Sequence, residues 1–315
     1  MLADAWLHNL SPDIFEVFGR PVKWYGLSYV MGFFGAFFLL RLLAVRGVGP
    51  LKKDEVSDFV TLGALCGIMV GGRLGFMLLY SPKAFFADPL LFFRLWEGGM
   101  ASHGAILATT IFTLVYCRLK NYNPARLGDN LVSVAPLGVF FGRMANFING
   151  ELWGKPWNGW CAVKFPSEII DDSGMAQEVR AKLNDYESTL NQIIVQARTD
   201  ERVDAVLNGV LTARHPSQIY QGLMEGLLLF VVLFTLRLRF KNLPWGLLTG
   251  IFFIGYAILR IIGEVFRYPD SGNLAGISKG QFFSLFMFLI GAGFIAYAMK
   301  WGRQKAASFA KMKGA

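Results

Sequence analysis

The sequence predicts an all-α integral membrane protein of seven transmembrane helices, N-terminus out and C-terminus in, with an external helical insertion between spans four and five. Three observations predict it. More than half of the 315 residues are hydrophobic and only 17% are charged, against about a quarter in soluble chains. Seven apolar segments are each long enough to cross a hydrocarbon core about 30 Å thick. Basic residues crowd the loops on one side of those segments, which orients them. The net charge of +9 raises nucleic acid as a partner, but the charges lie in short loops between apolar spans. That placement points to membrane lipids with anionic head groups and to topology, and not to nucleic acid.

The seven segments are 24–45, 56–80, 99–117, 127–147, 217–238, 245–266 and 281–301. Ahead of the first there is neither a basic stretch nor a small-residue cleavage site, so it reads as a retained helix and not a signal peptide. On one side lie Arg41, Arg46, Lys52, Lys53, Arg118, Lys120, Arg126, Arg237, Arg239, Lys241, Lys300, Arg303, Lys305, Lys311 and Lys313. The N-terminal segment and short loops on the other side hold only Arg20, Lys23, Lys83, Arg94, Arg267 and Lys279, the loop after span four being too long to count. The second span carries Gly63, Gly67, Gly71 and Gly75 every fourth residue, a face on which a neighbouring backbone packs closely. Arg73 sits on another face of that span, either snorkelling or pairing inside the bundle.

The loop after span four is the only long soluble stretch. Met175, Val179, Leu183, Tyr186, Leu190, Ile194 and Ala197 recur every three or four residues and predict one amphipathic helix. Val203, Val206, Leu207, Val210 and Leu211 predict a second, with Asp200 as its cap. The expected organisation is spans one to four with an N-terminal interfacial arm over 1–150, an external helical head over 151–216, spans five to seven over 217–301 and a basic tail over 302–315. Cys66 and Cys117 fall in spans and Cys161 in the loop, without Cys-x-x-Cys spacing or a partner histidine, so neither a disulfide framework nor a metal site is expected.

The orientation, derived from loop charges alone, tests the polar residues inside the spans. Arg143 and Asn146 share a face in the outer half of span four. Tyr256, Arg260, Glu264 and Arg267 form a polar stripe at the outer end of span six. His103 opens span three, Tyr25 opens span one, and Arg214-His215-Pro216-Ser217-Gln218 leads into span five. Residues of five spans therefore fall at one depth. Ionisable groups at membrane depth generally face a polar cavity and carry function. Two arginines there suit an anionic ligand, because the guanidinium fork matches phosphate oxygens in pairs. Taken singly, Arg260 and Glu264 also read as a buried ion pair and Tyr25 as an interfacial anchor. The chain has no phosphate-binding loop, no Gly-x-Ser-x-Gly elbow and no His-Glu-x-x-His, so an enzyme here would use a base and charge stabilisation without a cofactor. The competing reading is a transporter or flippase for an anionic lipid or solute. It requires polar residues continuing inward, for which Asp129, Asn130 and Ser133 leave some room.

The stretch Gly142-Arg143-Met144-Ala145-Asn146-Phe147-Ile148-Asn149-Gly150-Glu151-Leu152-Trp153-Gly154 resembles the signature of the bacterial prolipoprotein diacylglyceryl transferases. Trp24-Tyr25-Gly26, Gly71-Gly72-Arg73, Gly98-Gly99-Met100, Ser102-His103-Gly104, Arg214-His215-Pro216-Ser217-Gln218 and Arg260-Ile261-Ile262 resemble further motifs of that family in family order. The resemblance implies a multi-pass protein of the bacterial cytoplasmic (inner) membrane. It implies transfer of a diacylglyceryl group from phosphatidylglycerol to the lipobox cysteine in the signal peptide of a preprolipoprotein, forming a thioether and releasing glycerol 1-phosphate. By the same resemblance His103 is the base, Arg143 and Arg260 stabilise the leaving phosphate, and Tyr25, Asn146, Glu151, Glu264, Gly142, Gly154, Arg73 and His215 bind substrate; Tyr256 joins them by its place in the span-six stripe. His215 falls at the depth of His103, so the base stays open between the two. The external insertion is longer than the family pattern.

Overall fold

The computed structural model describes residues 5–94, 98–268 and 279–314, with the backbone alone at 279 and 309–314; the Lys311 and Lys313 side chains of the tail lie outside the described part. In chain order the principal helices are α1 (Trp24–Val45), α2 (Glu55–Leu79), α3 (Ser102–Lys120), α4 (Pro124–Ile148), α5 (Ser173–Leu183), α6 (Leu190–Gln196), α7 (Glu201–Val210), α8 (Ser217–Arg239), α9 (Leu247–Phe266) and α10 (Gly280–Ser308). Six of them are long and apolar enough to cross a membrane: α1, α2, α4, α8, α9 and α10. The expected third span coincides with α3, which does not reach that apolarity. Ser102, His103 and three threonines dilute it, although Thr110 and Thr113 return their hydroxyls to the carbonyls of Ile106 and Thr109 one turn back, at 2.8 Å each.

Chain punctuation sets the helix ends. After α1, Gly47 takes a φ of +67° and Val48 N donates to Leu43 O, a left-handed stop that suits glycine. After α3, Asn121 plays the same part with a φ of 54°. Asn123 Oδ1 then accepts from Ala125 N and Arg126 N, and Pro124 at the first helical position starts α4.

Two compact units divide the chain, and α1, α4, α8, α9 and α10 contribute to both. One comprises Phe33–Ala135, Val232–Phe252 and Gly291–Ala315. Its apolar core gathers Leu40, Leu43, Val56, Phe59, Cys117 and Leu127. Here the glycine face of α2 does what its spacing predicts. A Cβ on Gly67 would meet the Thr109 hydroxyl at 2.4 Å, one on Gly71 the Ala108 Cβ at 2.2 Å, and one on Gly75 the Gly104 Cα at 2.5 Å. Backbones of α2 and α3 touch along that line, and a side chain there would part them.

The other unit comprises Met1–Gly32, Pro136–Val231 and Phe253–Ile290. It corrects the all-α expectation in detail, because it contains two small sheets. Strands β1 (Trp6–Leu7), β4 (Val163–Lys164) and β5 (Ala213–Arg214) pair in the order β1-β4-β5, and β2 (Asp13–Val17) pairs with β3 (Arg20–Lys23) as a hairpin. It also corrects the single helix expected over 175–197. Asn184 turns left-handed, Asp185 Oδ1 accepts from Glu187 N and Ser188 N, and Thr189 with Gln192 forms a capping box that starts α6 afresh. Local polar chemistry outcompetes the helix at those residues. Tyr186 leaves the stripe and is 67% exposed, while Val179, Leu183, Ile193, Ala197, Val203 and Leu207 join one core. Asp200 caps α7 as expected, through Arg202 N and Val203 N.

Candidate active site

The sixth-span stripe and the fourth-span arginine meet in the second of these units. Their common partner is Glu225, which lies on α8 and is wholly buried. Arg143 Nη2 stands 3.5 Å from its Oε2 and Arg260 Nη1 3.5 Å from its Oε1. Arg260 Nη2 also reaches Glu264 Oε2 at 3.2 Å, and the Tyr256 side chain hydrogen-bonds Glu225. Close helix packing brings Glu225 there. A Cβ on Gly226 would fall 2.6 Å from Phe140 of α4, and one on Gly222 would fall 2.6 Å from the Met144 side chain. The two arginine pairs are longer than the 2.7–2.9 Å of a tight charge-assisted hydrogen bond. Both arginines keep some exposure, at 15% and 14%. Two loosely held forks around one carboxylate present charge that an anion of matching shape can take up.

The end of α4 builds the next part. Asn146 Nδ2 donates to Glu151 Oε1 at 2.8 Å, and Asn149 Nδ2 approaches the same oxygen at 3.5 Å. Gly150 and Leu152 take positive φ, at 69° and 60°, which folds Glu151 back over the helix terminus. Gln218 Nε2 donates to Glu151 O and Ser217 Oγ to Leu152 O, so the Pro216-Ser217-Gln218 segment fastens this turn.

Gly142 and Gly154 differ in kind. A Cβ at Gly142 would meet nothing within 4 Å, whereas one at Gly154 would strike His215 O at 2.5 Å and Phe266 O at 2.6 Å. Gly154 is a backbone crossing point: its N donates to His215 O, while Lys155 N donates to Phe266 O. Arg214 closes the crossing. It pairs with buried Glu168, gives a hydrogen bond to Gly154 O, and lies over the rings of Trp153 at 4.2 Å and Tyr268 at 5.0 Å.

His215 is boxed in. Trp157 stacks on it at 4.3 Å, the edges of Tyr220 and Phe266 close around it, and its Nδ1 faces the Tyr220 hydroxyl at 3.5 Å. Burial, and then the Lys155 charge, depress its pKa. Tyr25 packs on Tyr29 with ring centroids 5.4 Å apart.

His103 and Arg73 belong to the other unit. His103 is exposed in the first turn of α3. Arg73 is 2% exposed. Its Nε donates to Phe92 O, its Nη1 to Gly98 O and Gly99 O, and its Nη2 to Leu91 O and Arg94 O. A guanidinium has five N–H groups, and all five are engaged. The substrate contact expected of Arg73 is therefore not what this geometry offers. Among the described residues no three His, Cys, Asp or Glu side chains gather to hold a metal ion.

A family model described as prolipoprotein diacylglyceryl transferase matches residues 12–297. The chain belongs to the prolipoprotein diacylglyceryl transferase family. It is 35% identical to the phosphatidylglycerol--prolipoprotein diacylglyceryl transferase of Rickettsia felis over 90% of this chain and 95% of that one. It is 36% identical to the protein of the same name from Photorhabdus laumondii, over 93% and 94%, and 37% identical to that of Bdellovibrio bacteriovorus, over 90% and 92%. In this diacylglyceryl transferase family member the central residue that sequence reasoning missed is Glu225. Its signal was present: an acidic residue within an apolar span, followed directly by Gly226 and preceded by Gly222.

Proposed function

We propose that this chain transfers the diacylglyceryl group of phosphatidylglycerol to the lipobox cysteine of preprolipoproteins. Membership of a family whose relatives bear that name supports the reading. The observation that carries it at the level of residues is the pair of arginines flanking buried Glu225. In this reading Arg143 and Arg260 grip the lipid phosphate. The cysteine thiol, with an ordinary pKa near 8.5, is mostly protonated at neutral pH and needs a base. His103 takes that proton, since the ring of His215 is enclosed by Trp157, Tyr220 and Phe266. The thiolate attacks the glyceryl carbon bearing the phosphate, a C–S bond replaces the C–O bond, and the electron pair leaves on glycerol 1-phosphate. The arginines stabilise the charge that grows there. Asn146, Glu151 and Gly142 border the lipid, while Gly154 serves by letting two backbones cross.

In this proposal α3 also crosses as the third of seven spans, giving an N-out, C-in protein of the inner membrane with its site toward the outer leaflet. The experiment is to incubate the purified chain with phosphatidylglycerol and a lipobox peptide and weigh the peptide. The peptide gains one diacylglyceryl mass. A folded, lipid-binding protein that leaves the peptide unchanged overturns the proposal.

A further inference from the structure

The first turn of α3 is held at two points. Ala101 N donates to Gly72 O at 2.9 Å, and Gly104 is pressed onto α2, where its Cβ would lie 2.4 Å from Gly71 O. His103 sits between these points. Approaching them, Gly98 and Gly99 both take left-handed φ, at +76° and +81°, a reversal that any side chain resists. A Cβ on Gly99 would lie 2.5 Å from the Phe76 ring and 3.0 Å from Arg73 Nη1. The carbonyls of this glycine pair accept from Arg73, whose remaining N–H groups go to Leu91, Phe92 and Arg94 on the incoming segment.

We propose that Arg73 is a positioning residue for His103: it ties the Leu91–Arg94 segment and the Gly98–Gly99 reversal to α2 and so sets the first turn of α3. This rests on the reading of His103 as the base. A lipid phosphate would have to strip Arg73 from five backbone carbonyls, of which Leu91 O also accepts from Arg94 N at 3.2 Å. Leaving these part-buried carbonyls and a buried guanidinium without partners is costly, so the arginine stays with the backbone. A group that places a base acts on turnover, because a shift of about 1 Å in a reacting group costs about a hundredfold.

The test uses the full-length protein carrying Arg73→Gln, with His103→Gln and the double variant beside it. Arg73→Gln lowers kcat by about a hundredfold and leaves KM for phosphatidylglycerol within about twofold, because no lipid contact is lost. Added to His103→Gln it costs little more, since both changes remove one proton transfer. A KM that rises as far as kcat/KM falls, or a double variant whose losses multiply, overturns the proposal. A second readout covers the failure of the base reading. Ala101 is 5% exposed; as Ala101→Cys, in a chain with Cys66, Cys117 and Cys161 changed to Ala, it reacts with maleimide about tenfold faster once Arg73→Gln loosens the turn, as local opening demands. An active His103→Gln sinks the base reading alone, and the labelling rate still decides whether Arg73 holds this turn; an unchanged rate refutes it. Should Arg73→Gln not fold, Gly99→Ala leaves Arg73 in place and strains the same reversal. It reproduces the kcat loss, and a wild-type kcat in that variant overturns the proposal.

Discussion

Glu225→Gln is the sharpest perturbation of the site, because it removes one charge and almost no volume. At an effective dielectric of about 20, unit charges 3.5 Å apart attract by about 5 kcal/mol, and Glu225 faces Arg143 and Arg260 at that distance. Most of this gross attraction is offset by the cost of taking three charges out of water. Removing one member of such a buried set costs a net of about 3–5 kcal/mol. The neutral variant should therefore unfold about 3 kcal/mol more easily without lipid, with two arginines left facing an amide. A lipid phosphate supplies the missing charge, so the variant should bind phosphatidylglycerol more tightly than the parent. By linkage, the stability gap closes by about 1.4 kcal/mol for each tenfold gain in affinity. Reversible unfolding in detergent, with and without phosphatidylglycerol, measures both gaps. A gap of the same size in the two conditions would refute the idea that the phosphate and Glu225 compete for the same arginines.

Three other outcomes follow from the geometry. Arg143→Lys, which keeps the charge but not the planar fork, loses nearly as much transfer as Arg143→Ala in the peptide assay; a lysine variant close to wild type contradicts two-point phosphate binding. Gly154→Ala, with carbonyls 2.5 Å and 2.6 Å from its new Cβ, destabilises by about 1–3 kcal/mol, while Gly142→Ala meets nothing and raises stability by up to about 1 kcal/mol through helix propensity; melting both variants checks the contrast, and an activity loss confined to Gly142→Ala marks that surface as lipid-facing. His8 is buried among Phe147, Phe165 and Trp6, and that burial lowers its pKa from 6.5 to about 4. Its unfolded form thus binds the proton first, so its contribution is complete above about pH 6.5 and falls as the pH drops toward 4, by about 3 kcal/mol in all; denaturation against pH detects this slope, and His8→Phe abolishes it.

What was legible in the sequence was what a short-range rule encodes. The α2 glycines predicted a close backbone contact because their period alone places them on one face, and the structure supplies Ala108, Thr109 and Gly104 opposite them. Asp200 was legible as a cap because capping is a matter of three residues. Periodicity misled over 175–197 because it survives an interruption. Asn184 through Thr189 break the helix with their own hydrogen bonds, and residues on either side still point into one core. Strands of two residues such as β1 and β4 have no period to read. Arg73 was left open between two readings, and Glu225 was missed, for a common reason. The role of a buried charge is set by partners 18 to 26 residues away in one case and on two other helices in the other, and spacing within one helix is silent about both.

The same distinction bears on what Asp129, Asn130 and Ser133 do. Asp129 is fully buried and accepts from Gly246 N, Thr249 N and Thr249 Oγ1 at 2.8–2.9 Å, which makes it an N-terminal cap for α9 supplied by another helix. Asn130 donates to Val48 O and accepts from Arg237 Nε at 2.7 Å, and Ser133 returns its hydroxyl to Asp129 O. Each of these side chains is spent on backbone or on a neighbour within the set, and none is more than 5% exposed. A conduction path needs polar groups that exchange partners with a passing ion or head group; a closed set whose members already satisfy one another holds helix ends together instead. The arginines beside Glu225 have the opposite character, with long pairs and residual exposure. In the proposed reading, the exchangeable charge beside Glu225 holds a lipid phosphate while chemistry occurs, and the locked set at Asp129 offers nothing with which to pass it onward.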